Sequence, residues 1–146
     1  KGKSLFELLQ DIYLEYGFSK EKMKYVVRKG QAGAAEIKQL MAEFRSNPPR
    51  MLGGSPLEWV KDYKTLVMKN LLTGEEKPIQ PKAPSDVLQF FTQAGTKISV
   101  RPSGTEPKIK FYFEVKGNLS SRGDYDAEDA KADALIESMM EELRLA

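Results

Sequence analysis

The sequence predicts an α+β domain in which an antiparallel β-sheet has two helices packed on one face. Several short runs alternate polar and apolar residues, as strands with one buried face do, and two longer runs place apolar residues at helical spacing. In chain order these runs give a strand, a helix, a strand, a hairpin with one further strand, and a final helix. This order allows both helices to cover the same side of the sheet.

An additional helix is predicted at the start of the chain. Ser4 and Glu7 have the spacing of a capping box, in which each side chain accepts a hydrogen bond from the other residue's backbone N–H. Apolar residues then follow helical spacing from Leu5 to Tyr16, and Gly17 is expected to end the helix. We interpret this stripe as core rather than as a site, and it either lies exposed in this chain or covers a neighbouring molecule.

The first half of the domain is predicted as strand, helix, strand. A strand is expected from Met23 to Arg28, followed by a turn over residues 29–33 and a helix that ends at residues 47–49, Asn-Pro-Pro. The second strand is expected from Leu57 to Tyr63. Strand alternation would place three of its residues on one face, namely Leu57, Trp59 and Lys61.

The second half is predicted to contain an irregular stretch, a hairpin, a strand and a helix. Residues 65–82 are expected to form an irregular connection with at most one short strand, and residues 86–91 and 97–100 a hairpin. Asp126 is expected to cap the last helix. The predicted buried face of that helix is Ala132, Leu135, Ile136, Met139 and Leu143. The acidic cluster at 124–129 resembles a calcium loop only superficially, because it lacks that loop's glycine and its final glutamate.

Composition excludes several kinds of chemistry. The chain of 146 residues has no cysteine and no histidine, which removes disulfides, thiolate chemistry and imidazole catalysis or ligation. There is no apolar run of about 18 residues, the length expected of a membrane-spanning helix. A net charge of +2 is too small to indicate a nucleic-acid partner. A cytoplasmic location is expected, and the start at Lys1 rather than Met suggests a piece of a longer protein.

The most informative stretch is the polar loop from Arg101 to Lys108, which lies between two alternating runs at 96–100 and 109–115. Arg101 can form a bidentate fork with a phosphate, and Ser103 and Thr105 can donate hydroxyl hydrogens. Backbone N–H groups near Gly104 can add an anion-binding concavity. These donors suit a phosphate monoester, although the same residue types also make ordinary surface turns.

This loop also carries a resemblance. The segment Arg101-Pro-Ser-Gly-Thr-Glu-Pro-Lys-Ile-Lys-Phe-Tyr112 resembles the phosphate-binding loop of the α-D-phosphohexomutase superfamily, and is most similar to its phosphoglucomutase/phosphopentomutase-like branch. The resemblance implies the fourth, C-terminal domain of such an enzyme. Residues 22–146 would then be a phosphate-binding domain with a fold like that of the TATA-box-binding protein. Residues 1–21 would be a linker and the helix that ends the preceding domain.

The resemblance further implies a function. Enzymes of this superfamily are phosphoglucomutases and phosphomannomutases, isomerases that interconvert sugar 1-phosphates and 6-phosphates through a bisphosphate, with a phosphoserine and a Mg²⁺ ion held by other domains. The motifs of those domains do not occur here, so this chain is expected to be inactive alone and to hold no metal or catalytic residue. Its partners would be the phosphosugar and the missing N-terminal domains. The residues expected to bind the non-reacting phosphate are Arg101, Ser103, Gly104, Thr105 and Lys110, with Lys108 adding charge.

Two other functions remain open at this point. The strand Lys110–Val115 is rich in aromatic residues, as in an RNA-recognition motif whose exposed rings stack on bases. However, Phe111 and Phe113 are needed to fill the core, the motif's glycines are absent, and neither a nucleic acid nor a membrane is expected as a partner. The other possibility is a regulatory or scaffold domain without a ligand.

Overall fold

The computed structural model describes residues 4–16, 18–79, 83–117 and 121–143. Within these ranges the chain forms eight strands, three α-helices and a short 3-10 turn at Arg122–Asp124. The strands are β1 (Phe18–Val27), β2 (Met51–Leu52), β3 (Ser55–Asp62), β4 (Val67–Asn70), β5 (Glu76–Pro78), β6 (Leu88–Thr92), β7 (Lys97–Pro102) and β8 (Lys108–Gly117). The helices are α1 (Leu5–Tyr16), α2 (Gly30–Ser46) and α3 (Tyr125–Glu142). In the described ranges, none of these helices is long and apolar enough to cross a membrane.

The strands form one antiparallel sheet in the order β1-β8-β7-β6-β3-β4-β5, with β2 paired to β3 off this path. The first strand therefore lies beside the last, with Phe18 opposite Gly117 and Val27 opposite Lys108. The β7–β8 hairpin occupies the neighbouring positions. As a result, the loop between β7 and β8 lies at one end of a three-stranded part of the sheet formed by β1, β8 and β7.

Both long helices pack on one face of the sheet, as the sequence predicts. The Phe44 ring of α2 meets the rings of Phe90 and Phe111 edge to face, each at 6.0 Å between centroids. Ile136 and Met139 of α3 belong to the same buried cluster. On β8, buried residues alternate with partly or fully exposed ones. We refer to the side that carries the latter on β1, β7 and β8 as the open face.

The first strand begins at Phe18, earlier than the predicted start at Met23. Its opening half contains Lys20 and Lys22, whose charges hide the apolar alternation that marks a strand. Both lysines lie on the helix side and reach carboxylates of α3: Lys20 Nζ lies 2.8 Å from Asp129 Oδ1, and Lys22 Nζ lies 3.2 Å from Glu137 Oε1. Ion pairs with α3 thus replace apolar packing along this edge strand.

The predicted orientation of the β3 side chains was wrong. Leu57 is buried together with Val60, whereas Trp59 and Lys61 are only partly buried. A register shift between Leu57 and Trp59 in the pairing with β6 explains this, because an irregularity of one residue moves the following side chains to the other face.

Residues 65–79 form a hairpin rather than an irregular connection, and positions 80–82 of the predicted stretch lie outside the described residues. β4 pairs with β5 over three residue pairs, from Val67 opposite Pro78 to Lys69 opposite Glu76. The Asn70 side chain accepts hydrogen bonds from the backbone N–H groups of Leu72 and Thr73 and thereby shapes the turn. Strands this short carry too few alternating residues to give a sequence signal.

The ends of the helices give two more outcomes. The capping box at α1 is confirmed: the Glu7 N–H donates to Ser4 Oγ at 3.1 Å and the Ser4 N–H to Glu7 Oε1 at 3.2 Å. Asp126 is not the cap of α3, because the helix begins at Tyr125 and its N-cap is Asp124. The predicted buried face of α3 is confirmed except that Leu135 is only partly buried and Met140 is buried as well.

The apolar stripe of α1 is exposed within this chain. Its leucines and isoleucine are between 38% and 86% exposed, these being Leu5, Leu8, Leu9 and Ile12. At its start the helix contacts the rest of the chain, where the Phe6 ring meets the Tyr125 ring edge to face at 5.0 Å. The predicted helix end at Gly17 lies outside the described residues.

The ion pairs between β1 and α3 give a prediction for alkaline pH. The hydrogen bond from Lys20 to Asp129 outweighs burial and raises the pKa of Lys20 above its ordinary value. A raised pKa in the folded state stabilises the fold fully below the unfolded pKa of about 10.4, and this stabilisation is lost as the pH rises through the folded value. In urea unfolding at pH 8 we expect Asp129→Asn to cost up to about 1 kcal/mol. The difference from the unmodified chain should shrink as the pH rises through the folded pKa of Lys20, and a difference that stays constant with pH would contradict this account.

Candidate functional site

The loop between β7 and β8 is closed by its own backbone. The Ser103 N–H donates to the Lys108 carbonyl at 2.7 Å, and the Lys108 N–H donates to the Glu106 carbonyl at 2.8 Å. From the neighbouring edge strand, the Arg28 N–H donates to the Pro107 carbonyl at 2.8 Å. The loop is therefore held both at its base and from the side of β1.

The Ser103 side chain organises the interior of the loop. Its Oγ accepts hydrogen bonds from the backbone N–H groups of Thr105 at 3.4 Å and Glu106 at 3.2 Å. The hydroxyl hydrogen of Ser103 is still free to donate, since the hydroxyl acts as an acceptor in both contacts. Within the described chain, the Gly104 N–H makes no hydrogen bond, so the loop keeps this backbone donor and the hydroxyls of Ser103 and Thr105 available.

Two of the predicted site residues, Arg101 and Lys110, are direct cross-strand partners on β7 and β8. Opposite residues of antiparallel strands project from the same face, and both of these lie on the open face. No carboxylate within the described ranges lies within 4.0 Å of either cation. Such a pair of like charges is unfavourable in the absence of an anion. The two residues form a small positively charged patch at the mouth of the loop.

A third cation, Lys108, extends this patch toward β1. Lys108 Nζ lies over the Tyr25 ring, 4.1 Å from its centroid, in a cation–π contact. Tyr25 is also the cross-strand partner of Lys110 on the β1 side. Sequence patterns do not assign Tyr25 to the site, because its position depends on the pairing of two strands that are far apart in the chain.

The predicted site residues are thus brought together only in part. Arg101 and Lys110 meet across the strands, and Ser103 bonds to the backbone of Thr105. Among the described residues, no hydrogen bond joins the Arg101 side chain to Ser103 or Thr105. The Thr105 side chain is exposed and makes no hydrogen bond in the described chain. The loop therefore offers separate donors around an open space, and a shared anion would be the group that links them.

Gly104 does not need to be glycine for the fold. It is not among the glycines with positive φ, and a Cβ added there would meet no atom within 4 Å. At Gly33 in α2, by contrast, an added Cβ would lie 2.6 Å from the carbonyl carbon of Arg28. The two glycines therefore provide a matched pair of substitutions.

We expect Gly104→Ala to change the free energy of unfolding by less than about 0.5 kcal/mol. Gly33→Ala should lower it by about 1–2 kcal/mol, because overpacking against the backbone outweighs the gain of alanine in a helix. Urea unfolding of the two variants measures the difference. Equal stability of both variants would contradict the close approach of α2 to the Arg28 backbone.

The two phenylalanine rings of β8 pack in the core and are not available to stack on bases. Phe111 and Phe113 are 0% and 1% exposed, whereas Tyr112 between them is 41% exposed. The expectation that the two phenylalanines fill the core is confirmed, and the resemblance to an RNA-recognition platform is lost with them.

No three side chains of His, Cys, Asp or Glu in the described part of the chain come together as metal ligands. The described residues therefore offer no cluster of three such ligands for a Mg²⁺ ion.

The chain is thus an α+β domain with two helices on one face of an antiparallel sheet and a cationic loop between its last two strands. Residues 23–132 match the family described as phosphoglucomutase/phosphomannomutase, C-terminal domain. The chain belongs to this family.

Curated relatives agree with the family assignment. The chain is 33% identical over 116 residues to a phosphoglucomutase of Staphylococcus saprophyticus, an alignment that covers 79% of the chain and 20% of the relative. It is 35% identical over 116 residues to a phosphoglucomutase of Staphylococcus haemolyticus, covering 79% of the chain and 21% of the relative. The chain thus spans about a fifth of the length of these relatives.

A solved structure is also similar, at a greater distance. It is the open form of the exocytosis-sensitive phosphoprotein pp63/parafusin, a phosphoglucomutase from Paramecium. The likeness has a TM-score of 0.42 and 11% identity and covers 93% of the chain and 24% of the solved chain. This likeness is too remote to support a further conclusion.

Proposed function

We propose that this chain is the phosphate-anchoring C-terminal domain of a phosphosugar mutase, an isomerase that interconverts sugar 1-phosphates and 6-phosphates through a bisphosphate intermediate. One observation carries the proposal: Arg101 and Lys110 are cross-strand partners without a carboxylate partner in the described chain, at the mouth of a loop with free donors. Membership of the family supports it.

The proposed role of these residues is to hold the phosphate that does not react. Arg101 binds two phosphate oxygens, Lys110 adds charge from the next strand, and the loop donates hydrogen bonds through Ser103, Gly104 and Thr105. These donors recognise a phosphate and not the sugar that carries it. The bisphosphate intermediate can therefore be held by either of its phosphates, and binding at this end positions the other end for transfer.

The remaining parts of the reaction are assigned to a longer protein. We propose that the phosphoserine and the Mg²⁺ ion belong to preceding domains and that α1 ends the last of those domains. The anchor domain then begins with β1 at Phe18 rather than at residue 22, because β1 pairs with β8 from its first residue onward. The exposed stripe of α1 supports this division, because Leu5 and Leu8 of this helix are 86% and 49% exposed in the described chain. On this proposal the chain alone has no mutase activity, and the whole enzyme acts in the cytoplasm.

The proposal is tested in the protein expressed from the reading frame that contains this sequence. We expect that protein to interconvert glucose 1-phosphate and glucose 6-phosphate. Lys110→Gln should raise KM about tenfold through the loss of one charged contact with the phosphate. Lys116→Gln removes the same charge from the same face of β8, about 20 Å farther along the strand, and should leave KM unchanged. Absence of mutase activity, or equal KM values for the two variants, would contradict the proposal.

A further inference from the structure

The strand β1 forms one edge of the sheet and is 10 residues long. On one side it pairs with β8 along its whole length, from Phe18 opposite Gly117 to Val27 opposite Lys108. Its other side, which we call the free edge, pairs with no strand in the described chain. A long unpaired edge is a template for pairing with another chain, and proteins usually protect such an edge with charges, prolines or bulges.

The backbone groups on the free edge belong to the odd-numbered residues of β1. In the same register as the strand, the Arg28 N–H donates to the Pro107 carbonyl at 2.8 Å, so even-numbered residues turn their N–H and C=O groups toward β8. Because these directions alternate along an antiparallel strand, Met23, Tyr25 and Val27 turn theirs toward the free edge. Each of these residues therefore offers one N–H donor and one C=O acceptor to a further strand.

The same three residues carry exposed apolar side chains. Met23, Tyr25 and Val27 are 47%, 50% and 49% exposed, and they project from the open face beside the free edge. Two lysines of this strand lie on the helix side instead, where Lys20 and Lys22 contact carboxylates of α3. Residues 23–27 are therefore an apolar stretch of edge whose outward hydrogen-bonding groups have no strand to pair with in the described chain.

We propose that two copies of this chain associate through the free edges of β1, antiparallel and about a two-fold axis at Tyr25. In this register Tyr25 faces Tyr25 of the second copy and Met23 faces Val27, so apolar side chains meet along the open face. At each end Glu21 faces Lys29 of the other copy. Both residues are exposed, and neither forms an ion pair within 4.0 Å in the described chain. Two ion pairs thus complete the contact.

Charges on the helix side select this register over its neighbours. A shift of the axis to Lys24 places Lys24 opposite itself, and a shift to Met23 places Lys24 opposite Lys22. Like charges in direct cross-strand positions are destabilising. With the axis at Tyr25, Lys24 faces the uncharged Val26 and this repulsion is avoided.

One pair of like charges remains in the chosen register, Lys22 opposite Arg28. Each of these cations has a carboxylate of its own: Lys22 Nζ lies 3.2 Å from Glu137 Oε1, and Arg28 Nε lies 3.1 Å from Glu36 Oε2. The two ion pairs offset the charges that meet across the contact, so this pair does not oppose the register.

Sedimentation equilibrium of the chain tests for the dimer, and amide hydrogen exchange locates the contact. One pair of strands is smaller than a standard interface of about 1,600 Å², so we expect a dissociation constant on the order of 100 µM. The amides of Met23, Tyr25 and Val27 should exchange rapidly well below this concentration and be protected well above it. Those of Lys24 and Val26 face β8 and should be protected at both. A chain that stays monomeric, or a dimer without this protection, would overturn the proposal.

An exchange of charges tests the register. Glu21→Lys should weaken the dimer about tenfold, because it turns the ion pair at each end into a like-charge contact with Lys29. Combining Glu21→Lys with Lys29→Glu restores opposite charges and should restore the dimer. Leu8→Lys, in the exposed stripe of α1, is the control and should leave association unchanged. Failure of the double variant to recover, or dissociation caused by Leu8→Lys, would show that the copies do not meet in this register.

Discussion

Replacing Arg101 with alanine is expected to weaken phosphate binding by this chain about a hundredfold. Arg101 is exposed on the open face beside Lys110, and it can donate two charge-assisted hydrogen bonds to a phosphate. Each such bond contributes roughly 1.5–3 kcal/mol, and a loss of about 3 kcal/mol corresponds to roughly a hundredfold. We expect the unmodified chain to bind inorganic phosphate with an affinity near the millimolar range. An NMR titration with inorganic phosphate should therefore reach saturation for the unmodified chain and should not reach it for Arg101→Ala.

Arg50→Ala is the matched control for Arg101→Ala. Arg50 is an exposed arginine next to β2, which is separated from β7 by β3 and β6 in the sheet. Its removal lowers the net charge by the same amount but should leave phosphate affinity within about twofold, because exposed charges farther apart than about 10 Å are largely screened at ordinary salt. Equal affinities of the two variants would remove Arg101 from the site.

Replacing Phe111 with alanine is expected to lower the free energy of unfolding by about 3–5 kcal/mol. Its ring is 0% exposed and meets Phe44 of α2 edge to face at 6.0 Å, so the substitution leaves a cavity where helix and sheet join. Because domains of this size are stable by only about 5–15 kcal/mol, the loss is a large part of the total. Urea unfolding followed by the fluorescence of the single tryptophan, Trp59, measures it.

The next residue on the strand provides the control for Phe111→Ala. Tyr112 points to the open face and is 41% exposed, so Tyr112→Ala should cost less than about 1 kcal/mol. Similar losses for the two variants would mean that β8 is not buried on one face only, and the assignment of its open face would then be wrong.

How well the sequence predicts each element follows from how local its signal is. The hairpin β6–β7 and strand β8 are predicted because an apolar residue recurs at every second position along them. The first half of β1 was missed because its helix-side residues are lysines paired with α3, a contact over more than a hundred residues. The bulge in β3 depends on its pairing with β6, and no pattern within β3 itself announces it.

The residues of the candidate site likewise divide into those that local sequence signals predict and those that depend on contacts distant in sequence. Arg101 and Lys110 belong to one hairpin, so their meeting follows from the loop between two predicted strands. Tyr25 reaches the site only through the pairing of β1 with β8, which is not local in sequence. The free hydroxyl of Ser103 and the open space at Gly104 depend on the turn's own hydrogen bonds, which residue types alone do not determine.

A crystal structure of the chain soaked with tungstate, a heavy analogue of phosphate, tests the central claim most directly. The anion should be found between the Arg101 guanidinium and the loop, within hydrogen-bond distance of Ser103 or the Gly104 N–H and near Lys110. Anomalous density at other cations, with none at this loop in saturated crystals whose loop is free of lattice contacts, would contradict the account.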